Sequence, residues 1–136
     1  MRTISRIFLS LGAATLLLAT GLGAYASHGL GPEVSAATRS AFGTAIDYQF
    51  YHGLGLVAVA ILTDRSPDSR LLCAAGWLLV IGITLFCGSI YATTFGAPAS
   101  LGAAAPLGGT AFMAAWLALG LGAWRAGHGG AANPLA

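Results

Sequence analysis

The chain has 136 residues, 57% of them hydrophobic and only 7% charged, with a mean hydropathy of +0.80. Soluble domains carry roughly 25% charged residues, and so few polar side chains cannot cover a small globule in water, so lipid takes the place of that surface. The net charge of +2 comes from six scattered arginines with no lysine and no basic run, which excludes a nucleic-acid footprint.

Charged residues partition the sequence. The first uncharged run, from Ile7 to about Ser27, is long enough for a span of about 20 residues. A second run, Tyr48 to Thr63, reaches that length only if its helix begins before Asp47, near Ala41 or Ala45, which predicts a span over about 43–63. The third, Leu71 to Trp124, is too long for one helix. It breaks at Phe95–Pro106, where Gly96, Pro98, Ser100, Gly102 and Pro106 supply turn chemistry, leaving spans near 71–94 and 107–124. The predicted fold is an all-α membrane protein, a single four-helix transmembrane domain over residues 1–126. A flexible tail over 127–136, containing His128, is expected to follow.

Arg2 and Arg6 before the first run, together with Ala24-Tyr25-Ala26 near its end, also resemble a secretory signal with its cleavage site. Three further spans and a long apolar stretch favour retention, and cleavage would leave the other loops on the same sides. Arg2, Arg6, Arg65, Arg70 and Arg125 fall on one side of the predicted spans, and only Arg39 falls on the other. The positive-inside rule then puts both termini in the cytoplasm. The His28–Thr44 and Gly96–Ala105 connections are expected outside. The alanine- and glycine-rich, lysine-free composition suggests a GC-rich bacterial source and a place in the cytoplasmic (inner) membrane.

Helix association in lipid depends on small residues and interhelical hydrogen bonds. Rows of small residues occur at Ala19, Gly23 and Ser27, at Thr84, Gly88 and Ala92, and at Ala114, Ala118 and Gly122. Tyr91, Phe95 and Trp124 lie near span ends, as in an interfacial belt, whereas Trp77 and Trp116 lie deeper and are expected to pack. Cys73 and Cys87 are about 21 Å apart on one helix, too far to bridge, and are read as small hydrophobes.

Polar residues concentrate in the outer half of the predicted bundle: His28, Asp47, Tyr48, Gln49, Tyr51, His52, Ser89, Tyr91 and Thr110. The cytoplasmic half is nearly featureless. An ionisable residue inside a span is costly and points by default to function, which singles out Asp47 and His52. Tyr48 and His52 are four apart and share a helix face, with Asp47 and Tyr51 on a neighbouring one, and His28 at the end of the first span is placed to approach them. Such a cluster can hydrogen-bond helices into register, form a ligand, ion or proton site, or ligate a metal or haem. The first reading is favoured, and no catalytic residue, cofactor or metal is assigned. Pro106, Gly108 and Gly109 are read as a helix cap with close packing rather than an anion site.

His28-Gly29-Leu30, Tyr48-Gln49-Phe50-Tyr51-His52-Gly53-Leu54, Ala75-Gly76-Trp77, Leu85-Phe86-Cys87-Gly88-Ser89-Ile90-Tyr91 and Ala105-Pro106-Leu107-Gly108-Gly109 occur in this order. The pattern, from about Gly12 to Leu119, resembles the YgdD/YwdK-type small membrane proteins, the domain of unknown function 423 family, itself similar to the eukaryotic transmembrane protein 256 group. The resemblance implies a four-helix inner-membrane protein that retains its first span, and makes His28, Tyr48, Gln49, His52, Ser89 and Tyr91 signature positions. It supplies no reaction, cofactor or partner. Cys87 stands where the family pattern has a small residue, and Ala24-Tyr25-Ala26-Ser27 replaces a Gly-Ala-Phe-Gly-Ala type of lead.

The leading expectation is a small non-enzymatic bundle serving as an accessory, assembly or interaction subunit of a membrane complex, with the lipid bilayer and either another membrane protein or a second copy as partners. The alternative is a ligand, ion or proton site built on His28, Asp47 and His52. A lipid- or quinone-directed enzyme lacks a visible nucleophile-base pair. Four short spans without a detectable inverted repeat give little room for alternating access.

Overall fold

The computed structural model describes residues 1–129, which form four long helices and no strand. They are α1 (Thr3–His28), α2 (Ala36–Arg65), α3 (Arg70–Thr94) and α4 (Ala104–Gly129). Each is long and apolar enough to cross a membrane, so the chain is an all-α four-helix transmembrane bundle. Irregular backbone is confined to the connections, as hydrocarbon demands of a chain whose peptide groups must pair with one another.

Local chemistry sets the helix ends. The Ser35 hydroxyl accepts the Thr38 amide at 3.1 Å and starts α2 at Ala36, and Ser69 accepts the Leu72 amide at 3.4 Å at the start of α3. Helix α2 therefore begins about two turns before the span predicted from residue 43, because its cap lies beyond the apolar stretch and the helix runs on through polar residues. At the end of α3, Gly96 has φ +96°, the left-handed region that glycine enters without strain. The amides of Gly96 and Ala97 bond back to Thr93 at 3.3 Å and Ala92 at 2.9 Å, closing a Schellman cap. A 3₁₀ turn, Ala99–Ala103, leads into α4. Helix α4 continues to Gly129, so the tail expected from residue 127 starts in helix, and residues 130–136 lie outside the described residues.

The helices alternate in direction as two hairpins. The α1–α2 and α3–α4 connections define an upper end, and the chain's N-terminus, the α2–α3 connection and the end of α4 define a lower one. Helix α1 packs along α2 and α4 along α3, while the α2–α3 seam joins the hairpins and α1 does not touch α4. Helix α2 is thus the central element: 50% of its most apolar window is buried, against 17% for the first and last spans. Phe8, Leu56, Val59, Ala60, Ala75, Leu79, Phe112 and Ala115 form the core.

With lipid as the alternative environment, packing contacts rather than water expulsion hold these helices together. The closest approaches are at glycines. A Cβ on Gly108 would meet the backbone of Phe86, and one on Gly76 would enter the Phe8 ring. Gly12 and Gly53 bring α1 onto α2, a Cβ on Gly12 lying 3.1 Å from the Gly53 carbonyl oxygen. The small-residue rows only partly coincide with these contacts. Ala19 and Gly122 are buried, but Ala114 is exposed and Gly88 has open space around it. On α3 the row begins on an exposed residue, Thr84, beside a π-helical turn, Ile83–Cys87, after which Cys87 and Ser89 are the buried positions. Trp77 and Trp116, expected to pack inside, are each 44% exposed.

Candidate functional site

Gln49 reaches the α1–α2–α3 junction from the central helix and is only 4% exposed. Its Nε2 donates to the Thr15 carbonyl at 3.0 Å, and its Oε1 accepts from the Tyr91 hydroxyl at 2.7 Å. One amide thus ties α2 to both α1 and α3. The Tyr91 ring rests against Phe42, with centroids 5.0 Å apart. One turn below Tyr91, the Cys87 thiol donates to the Ala45 carbonyl at 3.3 Å, so this cysteine is a polar link as well as a small apolar one. Ser89 is buried but satisfies itself within α3, donating to the Phe86 carbonyl at 3.0 Å.

His52 lies one turn beyond Tyr48, on a face of α2 turned away from Gln49. It is 5% exposed and stacked on Phe112 of α4, with ring centroids 3.4 Å apart and planes 11° from parallel. Its Nδ1 is 2.6 Å from the Tyr48 carbonyl oxygen. A carbonyl only accepts, so Nδ1 carries the proton; with no carboxylate on the groove to pair an imidazolium, the ring is read as neutral, with its lone pair at Nε2. Nε2 has no partner among the described residues, yet no buried side-chain nitrogen or oxygen is left unpaired there, so this atom opens onto free space.

That space is a groove of about 530 Å³ between α2 and α4, floored by Phe86 of α3. Tyr48, Tyr51 and His52 line one side, and Pro106, Gly109, Thr110, Phe112, Met113 and Trp116 the other. Tyr48 stacks on Phe86, centroids 4.8 Å apart and planes 19° from parallel. The Thr110 hydroxyl donates to the Pro106 carbonyl at 3.0 Å. No charged residue lines this groove.

The predicted cluster therefore divides. Gln49 and Tyr91 form the clamp with Thr15, His52 and Tyr48 face the groove, and Ser89 bonds within its own helix. His28 and Asp47 are exposed and make no side-chain hydrogen bond or ion pair among the described residues. No group of three or more His, Cys, Asp or Glu residues able to hold a metal occurs there either.

The lower end is less bare than its sequence suggests. Ser5 and Thr63, both buried, share a 3.3 Å hydrogen bond, and the Arg2 amide donates to Asp64 at 2.8 Å. Arg65, Arg70 and Arg125, from α2, α3 and α4, line a cavity of about 590 Å³. At the upper end, the Arg39 guanidinium instead donates to the Gly31 carbonyl at 2.9 Å, bracing the α1–α2 connection.

The profile of the family described as "protein of unknown function (DUF423)" matches residues 22–109. The membrane protein YwdK of Bacillus subtilis is 41% identical over 112 residues, covering 82% of this chain and 91% of that one. A Staphylococcus saprophyticus membrane protein, SSP2132, is 38% identical over 120 residues, covering 88% and 98%. A Haemophilus influenzae membrane protein is 36% identical over 118 residues, covering 87% and 94%. This chain belongs to the DUF423 family. No solved structure matches it.

The DUF423 match begins at residue 22 and ends at 109, so it spans the whole upper half of α2, the π turn of α3 and the first residues of α4. Both the clamp residues Gln49 and Tyr91 and the groove residues Tyr48, His52 and Phe86 fall within it. Phe112 and Trp116, which complete the groove wall, fall beyond it. They were not singled out for a site because an aromatic residue on an apolar helix has the same signature whether it packs, faces lipid or lines a cleft.

Proposed function

We propose that this DUF423 protein is a non-enzymatic, multi-pass bundle of the bacterial cytoplasmic membrane, both termini inside, that serves as an accessory or assembly subunit of a larger membrane complex. The observation that carries the reading is the open, two-hairpin arrangement. Helices α1 and α4 flank the bundle without meeting, and Leu17, Leu18, Leu107, Met113 and Leu117 stand exposed on them. The connections between helices are short, so the protein's dealings with other molecules are concentrated on these membrane-facing sides. The buried Gln49, Ser5 and Thr63 and the half-buried Tyr91 support the same view, because they are engaged in holding helices together.

The proposed orientation is supported by the arginines. Five stand at the lower end, three of them around one cavity where anionic lipid headgroups would meet them. The single exception, Arg39, is occupied with loop carbonyls. Affinity purification of the full chain from native membranes in a mild detergent tests the subunit role. The same membrane-protein partner at a fixed ratio in independent preparations is the expected result, and repeated recovery of this chain alone contradicts it.

A further inference from the structure

We propose that the α2–α4 groove is a binding site for a neutral, hydroxyl-bearing planar ring carried on a hydrocarbon tail, a quinol-class lipid-phase molecule, with His52 Nε2 as the acceptor of its hydroxyl. This site uses a different face of α2 from the Gln49 clamp and shares Met113 of α4 with the membrane-facing side invoked for the subunit role.

His52 has an unmet hydrogen-bonding capacity. A side chain that is 95% removed from solvent keeps one ring nitrogen satisfied by Tyr48 and turns the other, a lone pair, into a groove. Nε2 is not enclosed but opens into the groove, and in a hydrocarbon setting an acceptor left without a donor is costly. The complementary ligand group is an O–H or N–H donor. Thr110 adds an acceptor, because its own proton is spent on the Pro106 carbonyl, while the Tyr48 and Tyr51 hydroxyls on the opposite wall can donate to or accept from a ligand oxygen.

The walls specify the rest. Five aromatic side chains, Tyr48, Tyr51, Phe86, Phe112 and Trp116, border the groove, and flat rings pack most closely against a flat ligand. The absence of any charged lining residue favours a neutral molecule, since an ion brought there from water would be unpaired. A volume of about 530 Å³ suits a substituted ring and the start of a tail.

Depth fixes the route of entry. Counting up α2 from Asp64 at about 1.5 Å per residue places His52 about 18 Å above the lower boundary of a hydrocarbon layer about 30 Å thick. At that depth the exposed rim residues Tyr51 and Met113 leave the groove open on its lipid-facing side, while Pro106 carries it up toward the α3–α4 connection. A ligand reaching it travels through the bilayer, which requires the tail.

The test uses the purified full chain in lipid nanodiscs and three probes: decyl-1,4-benzoquinol kept under nitrogen, the corresponding decylbenzoquinone, and decylbenzene. The quinol offers a donor to Nε2, the quinone only acceptors, and decylbenzene neither. Saturable quinol binding is expected, with the quinone weaker because it offers no proton to Nε2. Gly109→Phe fills the groove at a position with open space for a side chain and is expected to abolish quinol binding with the fold intact. His52→Phe keeps the stacking surface and is expected to reduce quinol affinity to that of the quinone. Equal binding of all three probes, absence of quinol binding to the parent, or undiminished binding to a folded Gly109→Phe variant overturns the proposal.

Discussion

The Tyr91 hydroxyl donates a 2.7 Å hydrogen bond to Oε1 of Gln49, and that contact, with the amide's other end on Thr15, joins three of the four helices at one side chain. Gln49→Leu removes both bonds and strands the Tyr91 hydroxyl in an apolar setting, whereas Tyr91→Phe removes only one. A double-mutant cycle of the two, read by reversible unfolding in mixed micelles, is expected to give a favourable coupling of about 0.6–1.7 kcal/mol, the range of interhelical hydrogen bonds in membranes. A coupling of zero would show that the clamp does not hold the helices.

The tightest helix crossing makes a contrast between adjacent glycines. A Cβ on Gly108 runs into the Phe86 backbone, which cannot yield without separating α3 from α4, while one on Gly109 meets nothing within 4 Å. Gly108→Ala is expected to destabilise the bundle by about 1–3 kcal/mol through overpacking. Gly109→Ala is expected to be neutral or to stabilise by up to about 1 kcal/mol, since alanine is the better helix former. Thermal unfolding of the two variants in the same detergent checks both; equal melting temperatures would contradict the crossing.

A second steric pair can be tested by rescue. The Phe8 ring is fully buried and occupies the space above Gly76, so Gly76→Ala is expected to lower stability by displacing it. Phe8→Leu shortens the side chain and itself leaves a cavity, yet the double variant is expected to be more stable than the sum of the two single losses. Strict additivity in the unfolding free energies would place the two residues out of contact.

Orientation can be read from fusions. With both termini inside, a green fluorescent protein fused to the C-terminus is expected to fluoresce, and alkaline phosphatase fused there to be inactive. Alkaline phosphatase inserted in the α1–α2 connection after Pro32 is expected to be active. The opposite pattern would reverse the assignment of the arginine-rich end.

The spans were legible in the sequence because hydrocarbon imposes a length and forbids charge, and Ile7–Ser27 and Leu71–Thr94 meet both conditions unaided. The start of α2 was not, since a helix capped by Ser35 passes through Thr38, Arg39 and Ser40 before it meets apolar residues. The π turn at Ile83–Cys87 left no mark, because Ile-Thr-Leu-Phe-Cys is as compatible with an α-helix.

For the polar cluster, sequence spacing correctly put Tyr48 next to His52, with rings 5.6 Å apart. It could not find the Thr15 carbonyl as the partner of Gln49, because every residue carries such an acceptor and only the helix crossing selects one. The groove was hidden for a related reason: His52 and Phe112 stack across sixty residues of sequence, and no periodicity within one helix reports a stacking between two.

The subunit role is tested most directly by native mass spectrometry of the full chain, extracted from its own membrane in the mildest detergent that solubilises it. The account predicts a discrete species in which this chain carries the mass of a different membrane protein at fixed stoichiometry. Spectra holding only the lone chain, or whole multiples of its own mass, would contradict it.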